Sequence, residues 1–199
     1  MRFKLNARII LTLLFALAVI PVHSQVGPAA TKGGSLPMVF GMGGNDFAID
    51  WGPGTRMQGL SAWIDLYPFQ SRKASGLGFE VEGNDLNFNR PTVLSKMRQD
   101  TGLAGPIFAF SHSTRIRPYV KYLAGIGSID FPPSGSYSHD TFLVGAPAGG
   151  AEIRVWEHMW FRANYEYQFW HDVFGPHDLN PNGVTFGVSY DFRSYQSEK

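Results

Sequence analysis

Three histidines of this 199-residue chain are followed directly by aspartate, at His139-Asp140, His171-Asp172 and His177-Asp178. Imidazole beside carboxylate is a ligand set that suits zinc or another divalent transition metal. No short spacing here reproduces a zinc signature, so the six residues could meet a metal only if separate loops converge. Ser111-His112-Ser113 sets a histidine between two hydroxyls. Adjacent strand residues point apart, and a nucleophile needs a base and a third group that orients the base, so the triplet makes no catalytic site. Gly41-Met42-Gly43-Gly44 looks like part of a phosphate loop. No helical pattern follows it, and without helix N-terminal amides there is no phosphate cradle. These residues assign no catalytic group and no cofactor.

A larger set is charged and recurs at strand spacing: Asp65, Glu80, Glu82, Lys121, Glu152, Arg154, Arg162 and Glu166. Each alternates with apolar neighbours. Arg162, Asn164, Glu166 and Gln168 oppose Phe161, Ala163, Tyr165, Tyr167 and Phe169. The stretch from Val184 to Phe192 alternates in the same way, with Val184, Phe186, Val188, Tyr190 and Phe192 on one side and Thr185, Gly187, Ser189 and Asp191 on the other. Successive strand side chains take opposite faces, so one face is apolar and the other polar.

Eight segments read as strands, at about 38–49, 57–67, 76–88, 101–111, 117–129, 141–155, 159–170 and 184–192. The third loses its alternation after Gly83, the mark of a bulge. The fourth alternates poorly, and the polar stretch 89–99 before it, with Pro91, reads as loop. Most segments reach the roughly 9–11 residues that a tilted membrane strand needs. Gaps after the third, fifth and seventh strands are long, and those at 112–116 and 156–158 are tight. Short turns on one side and long loops on the other are the habit of outer-membrane barrels, with both termini in the periplasm. The expected fold is all-β, an eight-stranded antiparallel up-and-down transmembrane β-barrel. Apolar positions face lipid, and the charges face a lumen only wide enough to be filled by side chains. Those charges are expected to compensate one another as a salt-bridged plug rather than line an ion path. Trp156, Trp160, Phe161, Tyr190 and Phe192 near one boundary, and Trp51, Phe169 and Trp170 near the other, are expected to form aromatic girdles. The His-Asp pairs then fall in loops at the extracellular mouth.

The chain begins as an export signal. Arg2, Lys4 and Arg8 precede an apolar run from Ile9 to Ile20, too short to span a bilayer, and cleavage is expected before Gln25. Removing residues 1–24, which hold three of the 17 Lys and Arg and none of the 16 acids, leaves 14 bases against 16 acids, a net charge of −2. That balance gives no reason to expect a nucleic-acid partner. There is no cysteine, hence no disulfide framework and no thiol chemistry. Residues 25–35 read as a flexible periplasmic lead-in, 36–192 as the barrel and 193–199 as a short periplasmic tail.

From Arg117 onward the sequence resembles the small outer-membrane β-barrels of the OmpA and OmpX type, including uncharacterised porin-like members. Arg117-Pro118-Tyr119-Val120-Lys121, Tyr165-Glu166-Tyr167-Gln168-Phe169-Trp170 and Leu179-Asn180-Pro181-Asn182-Gly183 carry the likeness. The resemblance implies a monomer in the lipid of the outer membrane. It also implies a terminal aromatic signal, here Tyr190 and Phe192, read by the barrel-assembly machinery. Seven residues follow Phe192, a departure from the usual ending. The expected role is structural or one of surface interaction, with a narrow porin-like channel as the alternative. Lipid A deacylases, barrels of similar size, carry a His-x-Ser-Asn run on a strand. The comparable place here reads His171-Asp172-Val173-Phe174, without the serine, and so disfavours that enzyme.

Overall fold

The computed structural model describes residues 38–50, 56–68, 76–89, 97–110, 115–131, 138–171 and 178–192. The expected leader, lead-in and tail, and Trp51, Ser111 to Ser113, Asp172 and His177, lie outside the described residues. The strands are β1 (Met38–Ala48), β2 (Arg56–Leu66), β3 (Leu77–Asn89), β4 (Arg98–Ala109), β5 (Ile116–Phe131), β6 (Ser138–Arg154), β7 (Met159–Tyr167), β8 (Phe169–Trp170) and β9 (Asn182–Asp191). All pairings are antiparallel, and the order β5-β4-β3-β2-β1-β9-β7-β6 closes through β5–β6. β8 continues β7 past a break at Gln168 and pairs with β6, so nine strands make eight staves of one barrel.

Inward and outward positions alternate along each stave. In β2 the alternation is complete over Arg56–Leu66, with Met57, Ser61, Trp63 and Asp65 inside and Leu60, Ile64 and Leu66 outside. The last long strand behaves likewise, with Phe186, Val188 and Tyr190 outside and Thr185, Ser189 and Asp191 inside. The outward apolar side chains form a belt that water would not tolerate at this extent and that acyl chains solvate.

β4 corrects the sequence reading. It begins at Arg98, inside the stretch read as loop, and its alternation of burial is regular. It looks irregular because apolar and polar residues stand on both faces: Leu103 and Ile107 point inward beside Gln99 and Thr101, while Gly102, Ala104, Pro106 and Phe108 face out. The bulge on β3 sits beyond Gly83, where Asn87 is the extra residue opposite the Gln58–Gly59 step. β6 also starts earlier than expected, so His139 and Asp140 are strand residues paired with Asp130 and Ile129 rather than loop residues.

A row of paired residues runs from Gly44 through Leu60, Asp85, Asp100 and Ser128 to Thr141 on β6. Followed the other way, the same row runs from Gly44 through Phe186 and Ala163 to Ala151, also on β6. The two ends are ten residues apart, which is the stagger of the barrel. With strands about 4.8 Å apart and a rise of about 3.3 Å per residue, ten residues over eight staves tilt the strands by about 40°. The interior is then of the width that side chains fill.

Candidate functional site: the barrel interior and its rims

The rim that carries Met38 and Asp191 is called here the near rim, and the opposite one the far rim. In the near half of the lumen, Arg162 reaches three strands at once. Its Nη2 donates to Asp65 Oδ2 on β2 at 2.5 Å, its Nη1 to Glu80 Oε2 on β3 at 2.9 Å, and its Nε to Glu152 Oε1 on β6 at 2.9 Å. Its guanidinium lies 4.7 Å from the Trp63 ring centre and 4.8 Å from that of Tyr119. Trp63 can lie there because β1 and β9 carry glycine beneath it. A Cβ on Gly41 would come within 2.2 Å of the indole, and one on Gly187 within 2.6 Å.

Arg117 repeats the arrangement one step nearer the rim. It donates from Nε to Glu152 Oε2 at 2.6 Å and from Nη1 to Asp191 Oδ2 at 3.3 Å, and stacks 4.3 Å over Trp160. Lys121 donates from Nζ to Glu80 Oε1 at 2.6 Å and to Glu82, and lies 3.9 Å from Glu166 Oε2. Every one of these ionic side chains is at least 95% buried. Replacing one partner of such a pair leaves the other charged and dry, which is why buried ionic networks tolerate truncation poorly.

The structure thus brings seven of the eight expected lumen charges into one network, Asp65, Glu80, Glu82, Lys121, Glu152, Arg162 and Glu166. Arg154, the eighth, is half-buried at the near rim, 5.7 Å from the Trp160 ring. Arg117 and Asp191 also belong to the network, though neither is among the eight expected lumen charges, and the sequence places Asp191 only on the polar face of the last strand. The side chains do not balance as a set: six carboxyl groups, on Asp65, Glu80, Glu82, Glu152, Glu166 and Asp191, meet three cations, on Arg117, Lys121 and Arg162. The expectation of mutual compensation holds for each cation but not for the whole. Trp160 and Trp170 are further corrections. Both are buried in the lumen, at 1% and 0% exposure, and are no part of a girdle. Trp160 shares the parity of Arg162, and Trp170 that of Gln168, which is the signal that places them inside.

Amides separate the ionic half from the far half. Asn45 donates to Asn84 at 3.0 Å, Asn84 to Glu82 at 2.9 Å and Gln168 to Glu166 at 2.7 Å. Trp170 Nε1 donates to Gln168 at 2.8 Å, so its ring is held across the barrel. The far half holds an apolar cluster in which Phe47, Met57, Leu103, Leu123 and Leu179 pack together with Trp170, beside buried Gln99, which donates to Gln168 at 3.3 Å. A smaller cluster of Val39, Tyr67, Ile107, Ala109 and Tyr119 packs beside the ionic network in the near half.

This closed, filled barrel with an apolar exterior agrees with the family comparison. The sequence matches, over residues 12–192, the family described as outer membrane protein beta-barrel domain. The chain belongs to that family. As an outer-membrane barrel it is similar in fold to Neisserial surface protein A, at 17% identity and a TM-score of 0.58, with 78% of this chain and 96% of the other covered. It is similar to Ail, the attachment invasion locus protein of Yersinia pestis, at 14% identity, a TM-score of 0.55 and coverage of 78% and 97%. The N-terminal β-barrel domain of Pseudomonas aeruginosa OprF gives 12% identity, a TM-score of 0.56 and coverage of 79% and 99%. No curated protein matches the sequence.

At the near rim of this outer-membrane barrel, Tyr190 and Phe192 are exposed on the outer wall with ring centres 4.8 Å apart. His158 stacks on Tyr190 at 5.5 Å, and its Nδ1 lies 2.9 Å from the Asp191 carbonyl oxygen. At the far rim, His171 Nδ1 lies 3.7 Å from Asp178 Oδ1, both exposed. Among the described residues no three His, Cys, Asp or Glu side chains are grouped so as to hold a metal ion.

Proposed function

We propose that this outer-membrane barrel is a non-conducting scaffold, and that its role is structural or a surface interaction made at the far rim. The observation that carries this reading is the filled lumen. Arg162 ties β2, β3 and β6 together across the interior, and above it Trp170, Leu103 and Leu123 pack into an apolar cluster in the far half. An ion crossing would have to displace a buried guanidinium and then pass an apolar core, and both steps are costly. A strongly braced wall suits a barrel whose variable part is its loops.

The test is conductance in planar bilayers with the refolded protein. The expected result is no steady channel for the native chain, with leak appearing in Arg162→Ala. A native channel that is already open, and unaltered by that substitution, would sink the scaffold reading in favour of a narrow pore. Lipid A mass spectrometry with and without the protein separates either from a lipid-modifying enzyme, and no change in acylation is expected.

A further inference from the structure

The height of the apolar belt is not the same on all sides of the barrel. The outermost apolar positions give way to polar ones at Asp46 on β1, Gln58 on β2, Asp85 on β3, Asp100 on β4, Ser128 on β5 and Thr141 on β6. Four of these lie on the single row of paired residues that runs Asp85, Asp100, Ser128, Thr141. That row is not level. At a strand tilt near 40°, each residue climbs about 2.5 Å along the barrel axis, and each step to the next strand along the row climbs about 3 Å toward the far rim. From Gly44 to Thr141 the row crosses five steps, a climb of about 15 Å, whereas Asp46 stands only two residues, about 5 Å, above Gly44. The polar boundary is therefore about 10 Å farther out on β6 than on β1.

The near edge does not slope to match. The outward apolar side chains end at Met38 on β1, Leu66 on β2, Leu77 on β3 and Val155 beyond β6, all within about 8 Å of one level. The belt is a wedge, tall along β5 and β6 and short along β1 to β3. Tilting the whole barrel would level one edge only by raising the other. On the short side the boundary is also strongly charged. Arg56 pairs with Asp46 at 2.9 Å, and Arg98 reaches Asp85 at 3.2 Å and Asp100 at 3.0 Å, all on the outer wall and part exposed. At the same height on β6 stands Leu143, 69% exposed.

We propose that the β1–β3 wall draws the headgroups of the far leaflet inward and so thins the bilayer on that side. The partner of this surface is the lipid itself. Charged ladders at half-depth cannot rest among acyl chains, and a bilayer answers a short belt by thinning around it. The ion pairs on this wall face zwitterionic or anionic headgroups that descend to meet them, while β6 keeps a full-height leaflet.

The chain has no cysteine, so single labels can be introduced without background. Gln58→Cys on β2 and Leu143→Cys on β6 place outward labels within about 3 Å of the same height. The protein, refolded in phosphatidylcholine vesicles, is labelled with a nitroxide at one site or the other. Collision with an aqueous nickel chelate is then compared with collision with oxygen. The expected result is a nickel-to-oxygen ratio several-fold higher at 58 than at 143. Equal ratios would overturn the proposal, since the two sides would then share one leaflet depth. Exclusion of both reagents from 58 would overturn it as well, because protein rather than lipid would cover that wall.

Discussion

Arg162 is the residue on which the interior depends most. It holds carboxylates from three strands and lies against Trp63 and Tyr119. Arg162→Ala leaves Asp65 and shares of Glu80 and Glu152 without their donor, and the expected loss is about 3–5 kcal/mol. Urea titration of the folded barrel in vesicles, read by gel mobility with and without heating, measures it. Arg162→Lys is expected to recover only part of the loss, because a point charge cannot reproduce a planar fork on three partners. The sequence made most of this network legible, since parity alone puts Asp65, Glu80, Glu82, Lys121, Glu152 and Glu166 on one side with Arg162. Arg117 escaped because it opens its strand, where alternation is shortest, and Asp191, although on the polar face of the last strand, stands at its end, outside the eight expected lumen charges. Trp160 and Trp170 were misplaced for a different reason. Tryptophan at a membrane boundary is so usual that residue type outweighed position, although the charged and amide neighbours two residues away already indicated the lumen.

At the scale of the strand, the outer and inner faces carry unequal risk. Phe186 and Val188 on β9 face lipid, and arginine there is expected to cost about 2–4 kcal/mol and to block insertion. Ser189, between them and the rim, is buried and its hydroxyl has no hydrogen-bond partner among the described residues. Ser189→Ala should therefore be neutral within about 0.5 kcal/mol. Heat-modifiable mobility of Val188→Arg and Ser189→Ala compares the two faces, and equal tolerance would reverse the assignment of sides. Strands such as β2 and β9 were legible because size and polarity alternate together. β4 was not, because its inward residues include Leu103 and Ile107 beside Gln99 and Thr101, and its outward ones include Phe108 beside Gly102 and Ala104. Leu103 enters the apolar cluster of the far half and Ile107 that of the near half, while Phe108 faces lipid, so apolar residues stand on both faces and polarity carries no period. Burial does, but burial is written in the partners across the barrel and not in β4 itself.

The whole molecule is a ring that closes by joining its first and last staves, with Val39 paired to Asp191 and Ala48 to Asn182. Contacts of that separation form slowly, because the chain between them must be ordered first. Trp63 crosses this junction. Its indole belongs to β2 but rests on Gly41 of β1 and Gly187 of β9, on both sides of the seam, beneath the guanidinium of Arg162. Until β9 arrives, half of its bed is missing, and until β7 arrives there is no cation over its face. The ring thus works as a latch that can drop only after the circle is complete. A chain in which Trp63 is the sole tryptophan, the other four replaced by phenylalanine, is expected to place its fluorescence change in the last phase of refolding into vesicles. A change completed in the earliest phase would mean that the indole settles before the seam exists. Replacing Gly187 by valine should leave the latch raised, so that the barrel, although assembled, reopens at its seam far more readily than the native one.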